Sequence, residues 1–317
     1  MRRFQLFLLP LAIVGLSLLD LGIFTDDITL NSDIFTQFRI PRVLGALFAG
    51  AGLSAVGLIM QTLFRNPLAG PYLLGVTPGA SLGMAIVVFS FPGLTNTFSP
   101  LVGSLVGALS ALGLQLLMNK GFESTSRLLL TGMVLSFVFG AGVELLQQFG
   151  DGEQIKQFTF WGMGSFERIQ SDQLFLLLAP TLVAVVYIWW NRYVLDSYLL
   201  GDIYAISSGS SINAMRRGMI LIGGLLAGWI TAYIGPIGLV GLVAPHIAKR
   251  LNQTESHGKI LLPTLFWGMM LCVSADYLAH HLFEGLILQV NPICALIGAP
   301  ILLYSFIKDG KHRDHSL

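Results

Sequence analysis

Apolar residues in this 317-residue chain gather into runs separated by short polar breaks, and the runs recur from one end to the other. A bilayer core needs about 20 apolar residues per helix, with every backbone polar group inside it paired internally. Scanned on those terms, the chain is expected to form ten spans, near residues 4–24, 42–64, 72–91, 99–118, 127–149, 173–191, 217–234, 236–251, 260–281 and 288–307. The third is expected to be interrupted at Pro78 and Gly79. The eighth is short and rich in Gly and Pro, so both read as broken or tilted elements. The first follows Arg2 and Arg3 like a signal peptide, but it runs to Phe24, holds Asp20 and lacks an A-x-A-like exit, so it reads as a retained helix. No stretch is left for a soluble domain, and residues 1–317 read as one all-α transmembrane domain.

Composition agrees with that pattern. Apolar residues are 54% of the chain, charged residues 11%, and the mean hydropathy is +0.74. A soluble domain carries about 25% charged residues. The net charge of +1 provides no basic stripe for nucleic acid. Where the charges fall is more informative. With the N-terminus inside, the inner loops take Arg2, Arg3, Arg65, Lys120, Arg127, Arg192, Arg216, Arg217, Lys249, Arg250, Lys259, Lys308, Lys311 and Arg313, and the outer loops only Arg39, Arg42, Lys156 and Arg168. Cytoplasmic loops carry the basic excess, so both termini are expected in the cytoplasm.

Cys272 and Cys294 lie in apolar runs and read as small packing residues. Many of the 36 glycines fall inside spans, where small residues allow close helix approach. An Arg pair precedes a Gly-rich span twice, at Arg39 and Arg42 and at Arg216 and Arg217, and the two spans run in opposite directions as inverted repeats would. His246 stands without a second ligand at i+3 or i+4, so no metal site is expected. Asp276, near an outer helix end, is expected to be paired or capping. Gln61, Asn66, Glu144, Gln147 and Gln148 interrupt apolar surroundings. Polar groups at membrane depth should face protein or water, which makes Gln61, Asn66, Glu144 and Gln147 candidates for a gate or a passage; Gln61 to Pro71 reads equally well as a structural turn.

Several polar words are too particular to be lipid-facing filler. They are R-I-P-R at 39–42, Q-T-L-F-R-N-P-L-A-G-P at 61–71, L-L-G-V-T-P-G-A-S at 73–81, S-R-L-L-L-T-G at 126–132 and W-G-M-G-S-F at 161–166. The second half adds L-L-G-D-I-Y-A-I-S-S-G at 199–209, G-P-I-G-L-V-G-L-V-A-P-H-I-A-K-R at 235–250, S-A-D at 274–276 and N-P-I-C-A-L-I-G-A-P at 291–300. In this order, over nearly the whole chain, they resemble the FecCD-type permease family, the membrane subunits of ABC importers for iron-siderophore, haem and vitamin B12 chelates. The resemblance implies a type II ABC importer permease architecture in the inner membrane.

It also implies roles for particular residues. Arg39 and Arg42 would bridge to acids of an external substrate-binding protein; the other reading makes them headgroup anchors. Residues 195–213 match the family's coupling segment through Leu200, Gly201, Asp202, Ala205, Ser207 and Gly209, as two short helices docking on an ATPase, against the reading of an ordinary solvated loop. The family often places Arg after the A-D word, where this chain has His280 and His281, and E-L-P-V-N where this chain has I-L-Q-V-N at 287–291. His280 is therefore a docking candidate mainly when protonated.

No G-x-x-x-x-G-K-[ST] loop occurs, so this chain is expected to bind no cofactor, with ATP-Mg on a partner. The implied partners are a second copy of the chain, two cytoplasmic ABC ATPase subunits, an external binding protein and membrane lipid. An ion-coupled secondary transporter is the alternative, and it needs ionisable groups at mid-membrane. An intramembrane enzyme would need a catalytic set, and no H-E-x-x-H, G-x-S-x-G or paired mid-membrane aspartates appear.

Overall fold

The computed structural model describes residues 2–21, 35–91, 98–119, 124–209, 211–283 and 287–314. Among these it holds twelve α-helices and no strand. They are α1 (Arg2–Asp20), α2 (Ile40–Phe64), α3 (Val76–Ser90), α4 (Phe98–Met118), α5 (Thr125–Gln147), α6 (Gly152–Gly162), α7 (Leu174–Leu199), α8 (Asp202–Ser207), α9 (Ile212–Ile234), α10 (Val240–Asn252), α11 (His257–His281) and α12 (Val290–Asp314). Every expected span coincides with one of them. Among the described residues six stretches are long and apolar enough to cross a bilayer, namely Phe35–Phe64, Pro100–Met118, Thr125–Gln147, Ser171–Leu199, Ile212–Ile234 and His257–His281. Leu8–Asp20, Val76–Ser90 and Val290–Tyr304 are shorter apolar helices.

The axis of the bundle is α2. Its apolar window is 83% buried, against 28% for α4 and 22% for α5 and α7, so α2 is enclosed by protein while those three present apolar side chains outward. Small residues make this possible. A Cβ on Gly57 would collide with the backbone of Gly241 in α10, and one on Gly50 with the backbone of Gly268 in α11. Around this axis, the main core draws side chains from α2 to α5, α7 and α9 to α12, while Phe158 and Trp161 of α6 form a smaller cluster with α3.

The two short helices α3 and α10 begin inside the bundle. Val76, the first residue of α3, lies against Gly228 in the second half of α9, and Gly241, the second residue of α10, lies against Gly57. Residues 65–75, which include a 3-10 turn at Pro71–Leu74, and residues 235–239 therefore lead to those starting points without α-helix. The succession long, short, long, long occurs twice, as α2 to α5 and α9 to α12. The end of α2 and the start of α9 meet at Asp202, so these two helices run in opposite directions.

Three expectations are corrected. Pro78 does not interrupt the third span, because it falls in the first turn of α3, where a missing N–H leaves no bond unmade. The sixth span does not stop near residue 191, and α7 continues to Leu199. Its polar end stays helical because Asn191 and Ser197 donate to the carbonyls four residues back and the Arg192 guanidinium lies over Trp189 and Tyr193. The coupling region accordingly holds one short helix, α8, rather than two. The helix α6 was not expected, being too short and polar for a bilayer scan. Its signal is a capping box in which Asp151 Oδ1 accepts from the Gln154 N–H and the Asp151 N–H donates to Gln154 Oε1.

Glycine at residue 57 tests the close approach. Gly57→Val sets a side chain against immovable backbone and should destabilise the chain by about 1–3 kcal/mol, read as a lowered thermal midpoint in detergent. Gly113→Ala, in α4 with nothing near its Cβ position, should leave the midpoint unchanged or raise it. Equal midpoints for the two variants would contradict the packing described.

Candidate functional site

A cavity of about 420 Å3 opens between the starts of α3 and α12, the C-terminal half of α5 and the end of α6. Its wall combines Tyr72, Thr77, Ser81, Ser136, Glu144 and Asn291 with Phe158 and Trp161. On α5 the contributing positions are Ser136, Gly140, Val143 and Glu144, a stripe at helical spacing. The hydroxyls of Ser81 and Ser136 donate to the carbonyls of Thr77 and Gly132, so their oxygens remain available as acceptors.

One side of the cavity is built from three irregular segments knitted together. The Ser165 N–H donates to Ile234 O at 2.9 Å, the Val290 N–H to Gly164 O at 3.2 Å and the Asn291 N–H to Met163 O at 3.0 Å. The Asn291 side-chain oxygen accepts from the Gly238 N–H at 2.8 Å. The words W-G-M-G-S-F, G-P-I-G and Q-V-N thus form one structure. Next to it Leu239 has φ +63°, a left-handed conformation that costs a non-glycine residue about 1–2 kcal/mol. Such strain persists only where the surroundings enforce it.

At one end of the bundle Arg42 joins α2 to α1 and α11. Its Nη2 lies 3.0 Å from Asp20 Oδ1 and its Nε 3.0 Å from Asp276 Oδ2, with both carboxylate side chains at 0% exposure and the arginine at 12%. His280 extends the group: its Nδ1 is 2.9 Å from the Asp276 carbonyl and its Nε2 3.0 Å from Glu167 Oε1. Both are hydrogen bonds only when both ring nitrogens carry protons, so the geometry suits an imidazolium. The hydrogen bond from His280 holds the Glu167 carboxyl below the ordinary carboxylate range, against partial burial. Asp20, Asp276 and His280 offer ligand atoms within 4.8 Å of one another, and the Arg42 guanidinium lies between the two carboxylates as their positive charge.

At the other end Asp202 is held between two arginines. Its Oδ2 is 2.9 Å from Arg216 Nη2 at the start of α9, and its Oδ1 pairs with Arg65 at the end of α2. The buried Tyr198 ring completes the group, with Arg65 stacked 4.0 Å over it, its hydroxyl accepting from Arg216 Nε and donating to Leu63 O. Gly201 and Gly209 bracket α8 with φ of +123° and +81°, backbone that side-chain-bearing residues rarely adopt. Ala205 is buried under the helix, and the Ser207 hydroxyl donates to Tyr204 O. The opposite face exposes Ile203, Tyr204 and Ile206, three large apolar side chains on so short an element, with exposed Leu200 just before it.

The residues singled out by sequence are thus distributed over three places. The cavity takes in Glu144 but not Gln61, Asn66 or Gln147. Gln61 is 1% exposed and ties α2 to α10, donating to Leu242 O and accepting from Lys249 Nζ. Asn66 closes its own turn by accepting from the Leu68 N–H. Arg42 and His280 belong to an ion cluster within the chain, whereas Arg39 is half-buried and donates to Leu21 O. Asp276 is paired, as expected. Sequence reasoning missed a buried row in which Thr62 Oγ1 lies 2.7 Å from His257 Nε2 and His257 Nδ1 2.6 Å from Asp196 Oδ1. It links α2, α11 and α7, and no local spacing advertises it. Thr62 is 0% exposed and also donates to Leu58 O, so its hydroxyl serves as a tie between helices.

The FecCD transport family matches residues 6–308 of the chain. A hemin transport system permease protein of Yersinia pestis is 32% identical over 284 residues, covering 88% of this chain and 85% of the relative. A vitamin B12 import system permease protein of Vibrio cholerae is 33% identical over 283 residues, covering 89% and 85%. A solved structure described as an inward-facing conformation of a metal-chelate type ABC transporter has TM-score 0.87 and 30% identity, covering 97% of this chain and all of that one.

Arg42 gives a stability test. Arg42→Met strands two buried carboxylates and should cost about 3–5 kcal/mol, measured by unfolding in detergent. Adding Asp20→Asn and Asp276→Asn should recover most of the loss. A single variant as stable as the parent would mean that the cluster does not hold α1 and α11 to α2.

Proposed function

The chain belongs to the FecCD transport family and is a membrane-embedded ABC importer permease, and from that premise we propose that it carries an iron-siderophore, haem or cobalamin-like chelate across the inner membrane by alternating access. It works as two copies, with two cytoplasmic ATPase subunits holding ATP-Mg and an external binding protein delivering the cargo. The distribution of Lys and Arg supports cytoplasmic termini, which sets the Arg65 end inside and the Arg42 end outside. The chelate passes along the cavity lined by Glu144.

The observation that carries this reading is the anchorage of α8. An exposed apolar face on a short helix is the kind of surface a partner covers. Asp202, in the first turn of that helix, is gripped by Arg65 of the α2 end and Arg216 of α9. A displacement of α8 by closing ATPase subunits is therefore delivered directly to the buried axis and to its antiparallel neighbour, a two-state element of the kind that switching requires. Outside, with Arg42 and His280 engaged within the chain, docking of the binding protein falls chiefly to Arg39. Its guanidinium makes no ion pair among the described residues.

The decisive experiment reconstitutes the importer in liposomes. The chain alone should hydrolyse no ATP, and the assembled importer should couple hydrolysis to uptake. Replacing Gly201 and Gly209 together by Val, at backbone angles that disfavour side chains, should reduce uptake at least about tenfold, equivalent to about 1.4 kcal/mol of coupling. Undiminished uptake by an assembled double variant would remove α8 from the drive train.

A further inference from the structure

The cavity has a charge character that the transport reading leaves unused. Among its lining residues Glu144 alone carries a formal charge, and no Lys, Arg or His is present. Its carboxylate makes no ion pair or side-chain hydrogen bond among the described residues. Around it stand neutral polar groups, the hydroxyls of Thr77, Ser81 and Ser136 and the amide of Asn291. Three basic residues outside the cavity face other groups. Arg42 and His280 are engaged with carboxylates, and Arg168 lines a separate cavity of about 270 Å3 that has only Trp161 in common with this one.

We infer that the cavity is a charge filter that admits neutral or cationic metal chelates and opposes polyanionic ones. The inference deepens the transport reading and rests on the cavity being part of the passage. Iron(III) held by three hydroxamates is neutral, since three ligand charges cancel the three of the metal, and a free ammonium on the ligand makes it cationic. Iron(III) held by three catecholates retains three negative charges, and haem carries two propionates. Glu144 is exposed on the cavity wall, and a water-facing carboxylate acts over about a Debye length, roughly 8 Å at physiological salt, so a chelate passing against that wall lies within its field. Discrimination rests on such repulsive elements as much as on attraction. The Asn291 amide N–H groups are left to donate to oxygens of a chelate, the Ser81 and Ser136 hydroxyl oxygens can accept from an N–H or ammonium on it, and a single charge per copy leaves the passage weak enough to release its cargo.

The test places a reporter thiol in the cavity. Ser136→Cys is introduced with Cys272→Ala and Cys294→Ala, and the assembled importer is labelled in liposomes with a cationic trimethylammonium and an anionic sulfonate methanethiosulfonate of similar size. Each rate is divided by that reagent's rate with a free thiol. The cationic reagent should be favoured about tenfold; Glu144→Gln should bring the ratio near one, and Glu144→Lys should invert it. A neutral iron trishydroxamate should also slow labelling at a concentration at least about tenfold lower than an iron triscatecholate does, without any binding protein. An unbiased labelling ratio, or equal protection by the two chelates, overturns the filter while leaving the passage in place. Absence of labelling by either reagent in every nucleotide state overturns the passage assignment, and the filter with it.

Discussion

Inside a bilayer a peptide N–H or C=O has no water to bond, and leaving one unpaired costs several kcal/mol. A permease nevertheless needs places where its helices stop short, because a bundle of uninterrupted helices packed this closely would leave no room for cargo. Here the break at 65–75 is tolerated because its own turns pair its backbone, and the break at 235–239 because other segments supply the missing partners. The segments at 162–166, 234–239 and 289–291 exchange backbone hydrogen bonds, and Asn291 reaches across to the Gly238 N–H. The cavity, the short helices α3 and α10 and the strained turn at Leu239 all depend on that mutual pairing. Irregular backbone at membrane depth is confined to where it is buried in protein or lines a cavity.

The axis of the molecule is fastened at both ends by the same kind of bond. Arg42 binds α2 to α1 and α11 at one end, and Arg65 binds it through Asp202 to α8 and α9 at the other. Between them glycines bring α10 and α11 into backbone contact with α2. Close packing of this kind transmits displacement rather than absorbing it. The exposed apolar face of α8 and the sealed interior of α2 are therefore parts of one lever.

Much of this was legible in the sequence because it is local. Apolar runs located all ten long or shortened helices, and the ordered words brought out the family. Gly201 and Gly209 were legible as turn residues, and their positive φ values give the reason. Apolar averaging ended α7 early because polar residues there bond their own helix, and it passed over α6, whose cap Asp151–Gln154 was nonetheless readable. Contacts remote in sequence were not readable. Nothing local says that Arg42 is enclosed by Asp20 and Asp276, that Gln61 faces Lys249 instead of a passage, or that Thr62, His257 and Asp196 form a row. Glu144 was picked out as a polar residue among apolar ones, but that it makes no ion pair among the described residues, in a cavity lined by no basic side chain, is a property of the fold.

The Asp20–Arg42 pair also bears on how the protein is made. A charged side chain entering the bilayer with a nascent helix costs about 2.5–3.5 kcal/mol at the helix centre and less towards its ends. Asp20 and Arg42 belong to the first two helices, so both partners of this pair are synthesised early. Asp276 is supplied only when α11 is made, and it completes the enclosure of Arg42. α1 packs mainly against α11, so until α11 is made its ties to α2 are the bonds that Arg39 and Arg42 make to its C-terminal end.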